Sequence, residues 1–90
     1  MGDARLEDGR LSDAIGILAP LVSEYPYYYE ARSRLIEAYI YKGLDQYSNG
    51  YLSSAIITWG KVLDVDPGNS KAKRYIEQAK SEMDKIRGPR

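Results

Sequence analysis

The feature that most constrains the fold of this chain is an internal repeat, because the sequence matches itself when it is shifted by 41 residues. Glycine, alanine, large apolar and proline positions all keep their order across the shift. The matched pairs are Gly9 with Gly50, Leu11 with Leu52, Ala14 with Ala55, Ile15 with Ile56, Leu18 with Trp59, Leu21 with Val62, Pro26 with Pro67, Ala31 with Ala72, Leu35 with Ile76 and Ala38 with Ala79. A period of this length indicates one supersecondary unit built twice, with neighbouring copies that stack on a shared core.

The apolar residues of each copy recur at intervals of three and four, which places them along one side of a helix. We therefore predict an all-α fold that begins with a short turn at 3–8. Its helices are expected at about 11–24, 28–48, 51–64 and 69–87. The connecting loops have only two to five residues, so consecutive helices are expected to be antiparallel neighbours.

Local signals mark the ends of these helices. Gly9 and Gly50 lie just before the second helix of each copy, where the turn is expected to need a positive φ. Pro26 and Pro67 end these helices, since the residue before a proline is pushed out of the helical region. Pro20 lies within the first helix, where a kink is expected. The candidate N-terminal caps are Ser12 or Asp13 in the first copy and Ser53 or Ser54 in the second.

The composition removes several classes of function. The chain has no Cys and no His, so it offers no thiol nucleophile, no usual zinc site and no common acid/base group for neutral pH. It also lacks a phosphate-binding loop and any nucleophile arrangement, so we expect no enzymatic activity, no catalytic residue, no cofactor and no metal site. One acidic pair, Asp64 and Asp66, could suggest a metal site or an acid/base couple. It adjoins Pro67, however, which indicates that these residues belong to a turn.

The charge distribution is bipolar although the net charge is zero, and zero net charge argues against a nucleic-acid partner. Residues 69–90 carry seven basic against three acidic side chains, whereas residues 1–68 carry six against ten. No apolar run approaches the ~18 residues that a membrane span needs, and the N-terminus does not resemble a signal peptide. We expect a soluble domain, whether complete or part of a larger protein, and assign no compartment.

The spacing Gly-x4-Ala-x3-large apolar-x2-apolar-x4-Pro resembles the tetratricopeptide repeat family. It reads Gly9, Ala14, Leu18, Leu21, Pro26, and again Gly50, Ala55, Trp59, Val62, Pro67. Gly43 stands where the family's first helix carries its glycine. The resemblance covers about residues 9–87 and implies a short α-solenoid fragment of antiparallel helix-turn-helix repeats. We expect one domain over residues 1–90. Its parts are a first unit at about 3–27, a second at about 28–68 and a capping helix at about 69–87.

Three departures from the family pattern stand out. The period is 41 residues where the family has 34, so the helix at 28–48 is about two turns longer than the family norm. Lys42 stands where the family prefers Leu, and Tyr47 comes one residue later than the family's tyrosine. The first helix of the first repeat is essentially missing, which leaves about one and a half to two repeats.

The resemblance implies a non-enzymatic protein–protein interaction scaffold whose first helices line a concave groove for a peptide or protein segment. The groove positions carried over to this chain are Ser33, Glu37, Ile40, Leu44 and Tyr47 on one helix and Lys71, Arg74 and Gln78 on the next. A structural reading stays open beside this one, in which Ile40 and Leu44 are core or dimer-interface residues. In the same reading, Lys71 and Arg74 belong to a solvated capping helix. Family members that grip a C-terminal carboxylate use Lys, Arg and Asn at set positions. Ile40 and Leu44 occupy two of these, so that activity is not expected.

Two further surfaces are candidates. Four tyrosines surround Pro26, and Tyr27 and Tyr28 among them form either a contact patch or packing against neighbouring helices. A stack of fewer than three repeats should also leave the sides of helices 11–24 and 28–48 partly uncovered. Either upstream repeats cover them, or the chain forms a homodimer, with or without exchanged helices. The alternative function is therefore self-assembly, with acidic N-terminal and basic C-terminal parts associating head to tail.

Overall fold

The computed structural model describes residues 4–87, and this part of the chain is all-α, as predicted. Its four helices are α1 (Ala4–Glu24), α2 (Tyr29–Ser48), α3 (Leu52–Val65) and α4 (Ser70–Arg87). Each helix packs against the next one along the chain. Because the connecting loops have only three or four residues, these neighbours run antiparallel. The predicted bounds of α2, α3 and α4 agree with the structure within one residue.

Trp59 of α3 is the centre of the core and is 1% exposed. Its ring stacks on Tyr75 of α4 with a centroid distance of 5.1 Å and tilts against Tyr47 of α2 at 6.0 Å. The indole Nε1 donates a hydrogen bond of 3.2 Å to the carbonyl oxygen of Ile40. Aromatic packing and a satisfied indole N–H therefore join three helices through one side chain.

Gly43 makes the close approach of α2 and α3 possible. A Cβ atom at this position would overlap the indole of Trp59, with the ring's Cδ1 only 2.6 Å away. Real side-chain atoms do not tolerate such a distance, so any larger residue would force the two helices apart. Ala55, Ala72 and Ala79 are also fully buried, which shows that small side chains line the helix contacts along α3 and α4.

The loops are held by specific contacts. Gly50 has a φ of 86°, which confirms the predicted positive φ between α2 and α3. Asn69 caps α4, because its Oδ1 accepts a hydrogen bond of 2.8 Å from the Ala72 N–H. Arg32 donates through Nε and Nη2 to the carbonyl oxygen of Val65 at 3.4 and 3.2 Å. This bond ties the start of α2 to the end of α3, where helix carbonyls otherwise lack partners.

The first helix differs most from the prediction. It begins at Ala4, so the turn at 3–8 is wrong over residues 4–8, and residue 3 lies outside the described residues. Gly9 is helical, because one glycine costs only about 1 kcal/mol in a helix and its neighbours favour helix. Ser12 and Asp13 therefore lie inside α1 and do not cap it. Helix α1 also continues through Pro20.

The prediction of serine caps on α3 is wrong as well. This helix begins at Leu52, so Ser53 and Ser54 lie within its first turn. Tyr51 occupies the capping position and makes no side-chain hydrogen bond there. The tight turn at Gly50, whose N–H donates to the Tyr47 carbonyl oxygen at 3.0 Å, starts α3 without a side-chain cap.

Candidate functional site

A groove of about 480 Å³ runs between α2 and α4. Both helices also pack against α3. Residues from the length of α2 form one wall, and the start of α4 forms the other. The lining residues are Ser33, Arg34, Ile36, Glu37, Ile40, Tyr41, Leu44, Asn69, Lys71 and Tyr75.

The groove has an apolar floor. Ile40 lies deepest and is only 6% exposed, while Leu44 and Ile36 are half-buried. Tyr75 closes the floor from the α4 side, and its ring is fixed by stacking on Trp59. Because these side chains belong to the helix-packing core, the floor is preformed, which lowers the entropic cost of binding a guest.

The rims of the groove are charged. Glu37 and Lys71 are exposed on opposite walls. Arg34 also lines the groove and meets Glu30 one helical turn earlier, at 3.4 Å. Both members of this ion pair are about two-thirds exposed, so their attraction is screened by water and is weak. Arg34 is therefore able to exchange Glu30 for an acidic group of a guest.

The groove includes four of the nine predicted contact residues. Glu37, Ile40 and Leu44 line it from α2, and Lys71 lines it from α4. The near burial of Ile40 means that it acts mainly through the shape of the floor. Ser33, which was carried over with them, also lines the groove.

Tyr47, which was predicted to face the groove, is not among the residues that line it. It is half-buried and packs against Trp59, because Gly43 leaves room for the indole ring just one turn earlier on α2. The aromatic ring of Tyr47 therefore belongs to the core.

Arg74 and Gln78 are exposed on α4 but are not groove-lining residues either. They were placed by repeat equivalence with Ser33 and Glu37, and equivalent positions on two parallel helices point the same way. The two walls of a groove face each other, so α4 contributes the opposite flank, which carries Tyr75. Tyr75 could have been found by choosing the flank of α4 that faces α2.

The tyrosine cluster around Pro26 is exposed. Tyr27 is 95% exposed and Tyr28 is 50% exposed, so Tyr27 hardly packs at all and about half of Tyr28 remains free. A smaller hollow of about 330 Å³ lies next to this loop and is lined by Tyr29 together with Ser33, Ile36 and Asn69 of the groove. The hollow therefore joins the tyrosine cluster to the groove as one continuous surface.

A second hollow of about 520 Å³ lies on the other face of the molecule, between α1, α2 and α3. It contains Tyr39, whose pKa is raised above its ordinary value by burial and, secondarily, by the nearby Asp64 carboxylate. Both causes disfavour the charged phenolate and keep the hydroxyl protonated. Burial between the helices is the larger of the two causes, so we assign the perturbation mainly to helix packing.

Comparison with known proteins gave no match to a protein-family model, to a curated protein or to a solved structure. Within residues 4–87, no group of three or more acidic side chains is arranged to hold a metal ion. Over the same residues, none of the helices combines the length and the apolar character that crossing a membrane requires.

Proposed function

We propose that this chain is a non-enzymatic protein–protein interaction scaffold of the tetratricopeptide type, which binds a peptide or protein segment in the groove between α2 and α4. One observation carries the proposal. Glu37, Leu44 and Lys71, which were carried over from the family resemblance, line a single groove between α2 and α4. This is the surface that the family resemblance implies for a guest.

The chemistry of the groove restricts its guest. The apolar floor at Ile40 and Leu44 favours an aliphatic side chain, since burying one contributes about 1.5 to 3 kcal/mol. Arg34 and Lys71 favour an acidic group on the same guest, and the exposed Glu37 favours a basic one. A segment with one aliphatic anchor flanked by charges of both signs fits this arrangement best.

The exposed tyrosines extend the proposed surface beyond the groove. Tyr29 lines the smaller hollow that adjoins the groove, and Tyr27 and Tyr28 precede it directly in the loop before α2. Tyrosine side chains often carry binding energy, because they offer a large apolar ring and a hydroxyl at a small entropic cost. We propose that the part of the guest that extends beyond the groove contacts this loop.

A selection experiment tests the groove. A displayed library of random peptides is selected on the immobilised chain, and the dissociation constants of the selected peptides are measured by fluorescence anisotropy. Lys71→Glu should weaken binding of peptides with an acidic residue at least tenfold. Lys73→Glu is the matched control, because it makes the same charge change on an exposed α4 residue outside the groove lining. Equal loss in both variants, or a selection without binders, would contradict the proposal.

A double replacement tests the tyrosines. Tyr27→Ser with Tyr28→Ser should weaken binding of the same peptides with little change in melting temperature, because Tyr27 is almost fully exposed and Tyr28 is half-exposed. A lower melting temperature with normal affinity would instead assign the two tyrosines to packing.

A further inference from the structure

One side of α1 is apolar and only partly covered by the described helices, since Ile17 is exposed while Ala14 and Leu21 are half-buried. Comparison with the equivalent residues of α3 shows which helix contact α1 lacks. Thr58 of α3 is 6% exposed because α2 covers it, and its hydroxyl bonds to Gln46 at 2.6 Å. Its equivalent in α1 is Ile17, which is 70% exposed. α3 thus packs between two helices, whereas α1 packs on α2 alone.

This partly covered side carries a regular pattern that we call the α1 seam. Its residues follow one another at intervals of four, three, four and three, which is the spacing of a coiled-coil contact. They are Arg10, Ala14, Ile17, Leu21 and Glu24. The centre of the seam is apolar, one end is basic and the other end is acidic. The exposed Arg10 and Glu24 each stand seven residues from Ile17.

We propose that the α1 seam binds the α1 seam of a second copy of this chain, antiparallel and about a two-fold axis at Ile17. This arrangement brings Ile17 against Ile17 of the second copy. It also places each Arg10 opposite Glu24 of the second copy, because both lie equally far from the axis. A parallel arrangement would set like charges against each other at both ends, so the charges select the antiparallel one.

The other end of the molecule explains why a second copy associates by a two-fold axis and does not extend the stack. α2 covers α3 with Tyr39, Ile40 and Gly43, all of which are buried. The equivalent residues of α4 are Lys80, Ser81 and Asp84, and all three are exposed. α4 therefore lacks the apolar side that would cover α1 of another copy head to tail. A two-fold contact between α1 seams closes the assembly at a dimer.

Cysteine cross-linking tests the geometry cleanly, because the natural chain has no cysteine. Under mild oxidation, Ile17→Cys should form a disulfide-linked dimer, since the axis brings the two sulfur atoms together. Arg10→Cys and Glu24→Cys should cross-link with each other when mixed, and neither should cross-link with itself. Lys73→Cys on the exposed side of α4 is the control, and it should migrate as a monomer in non-reducing gel electrophoresis. Self-linking of Arg10→Cys to the extent of Ile17→Cys would overturn the antiparallel arrangement.

Sedimentation equilibrium tests the interface in the unmodified chain. The natural sequence should fit a monomer–dimer equilibrium, and Ile17→Glu should raise its dissociation constant at least tenfold without loss of helical circular dichroism. Arg10→Glu and Glu24→Arg should each weaken the dimer, and the double variant should restore it. A monomer at every concentration, or mass that grows beyond the dimer, would overturn the proposal. Because the groove lies elsewhere, Ile17→Glu should still bind selected peptides, which separates this inference from the proposed function.

Discussion

α1 and α3 carry the same pattern of apolar residues, but only α3 is enclosed. Ala55, Trp59 and Val62 of α3 are fully buried, whereas their equivalents in α1 are only half-buried. The pattern determines which side of a helix is apolar, and the number of neighbouring helices determines how much of that side is buried. Burial contributes roughly 25 cal/mol per Å² of apolar surface, so the same pattern stabilises α3 more than α1.

The largest expected effect of this difference is on large-to-small replacements at one equivalent position. Trp59→Ala should lower the free energy of unfolding by about 3 to 5 kcal/mol, because it empties the centre of the core. Leu18→Ala should cost only about 1 to 2 kcal/mol, since part of that side chain is already in water. Urea unfolding followed by circular dichroism measures both. Equal losses would mean that α1 is as well enclosed as α3.

Glycine replacements test the close contact of α2 with α3. Gly43→Ala should destabilise the chain by about 1 to 3 kcal/mol, because the new methyl group overlaps the Trp59 ring. Gly60→Ala is the matched control, as its Cβ would meet no atom within 4 Å and the first copy already has Ala19 there. It should stabilise α3 by about 0.5 to 1 kcal/mol. Thermal unfolding of both variants would contradict the packing if their shifts had the same sign.

Gly9 and Gly50 are equivalent in sequence and differ in backbone conformation, so the same replacement should have opposite effects. Gly50→Ala should cost about 1 to 2 kcal/mol, because φ at this position is 86°. Gly9→Ala should stabilise by up to about 1 kcal/mol, because the residue is helical. Destabilisation by Gly9→Ala in urea unfolding would show that a turn exists there, as the repeat alone had predicted.

The smallest expected effect is a loss of stability at alkaline pH. The raised pKa of Tyr39 means that the unfolded state loses this proton first, near the ordinary value of 10.0. Stability is therefore unaffected below that pH and falls as pH rises above it toward the folded-state pKa. Tyr39→Phe should make this fall shallower in unfolding measured from pH 9 to 12. Asp64→Asn should lower the pKa of Tyr39, because it removes the nearby negative charge. An unchanged slope in Tyr39→Phe would contradict the assignment.

The sequence was sufficient for the parts of the fold that depend on local pattern. Apolar spacing, the two prolines and Gly50 predicted α2, α3 and α4 closely, because each signal acts within a few residues. The start of α1 was missed because Gly9 was assigned the conformation of its equivalent, although a lone glycine does not stop a helix among good helix formers.

The groove was predictable from sequence mainly along α2. Glu37, Ile40 and Leu44 line it because the long α2 keeps one flank along the groove, and Lys71 is the one predicted residue of α4 that also lines it. The positions of Tyr75 and Tyr47 depend on the rotation of α4 about its axis and on the packing of the Trp59 ring against α2. Tertiary packing sets both, and the periodicity of a single helix carries no information about tertiary packing.

The most direct test of the central claim, that one copy of the repeat is enclosed and the other is not, is native-state hydrogen exchange at concentrations where the chain is monomeric. The amides of α3 should exchange only through global unfolding, and those of α1 should exchange through local opening at a clearly lower free energy. Equal protection of α1 and α3, or stronger protection of α1, would contradict the account.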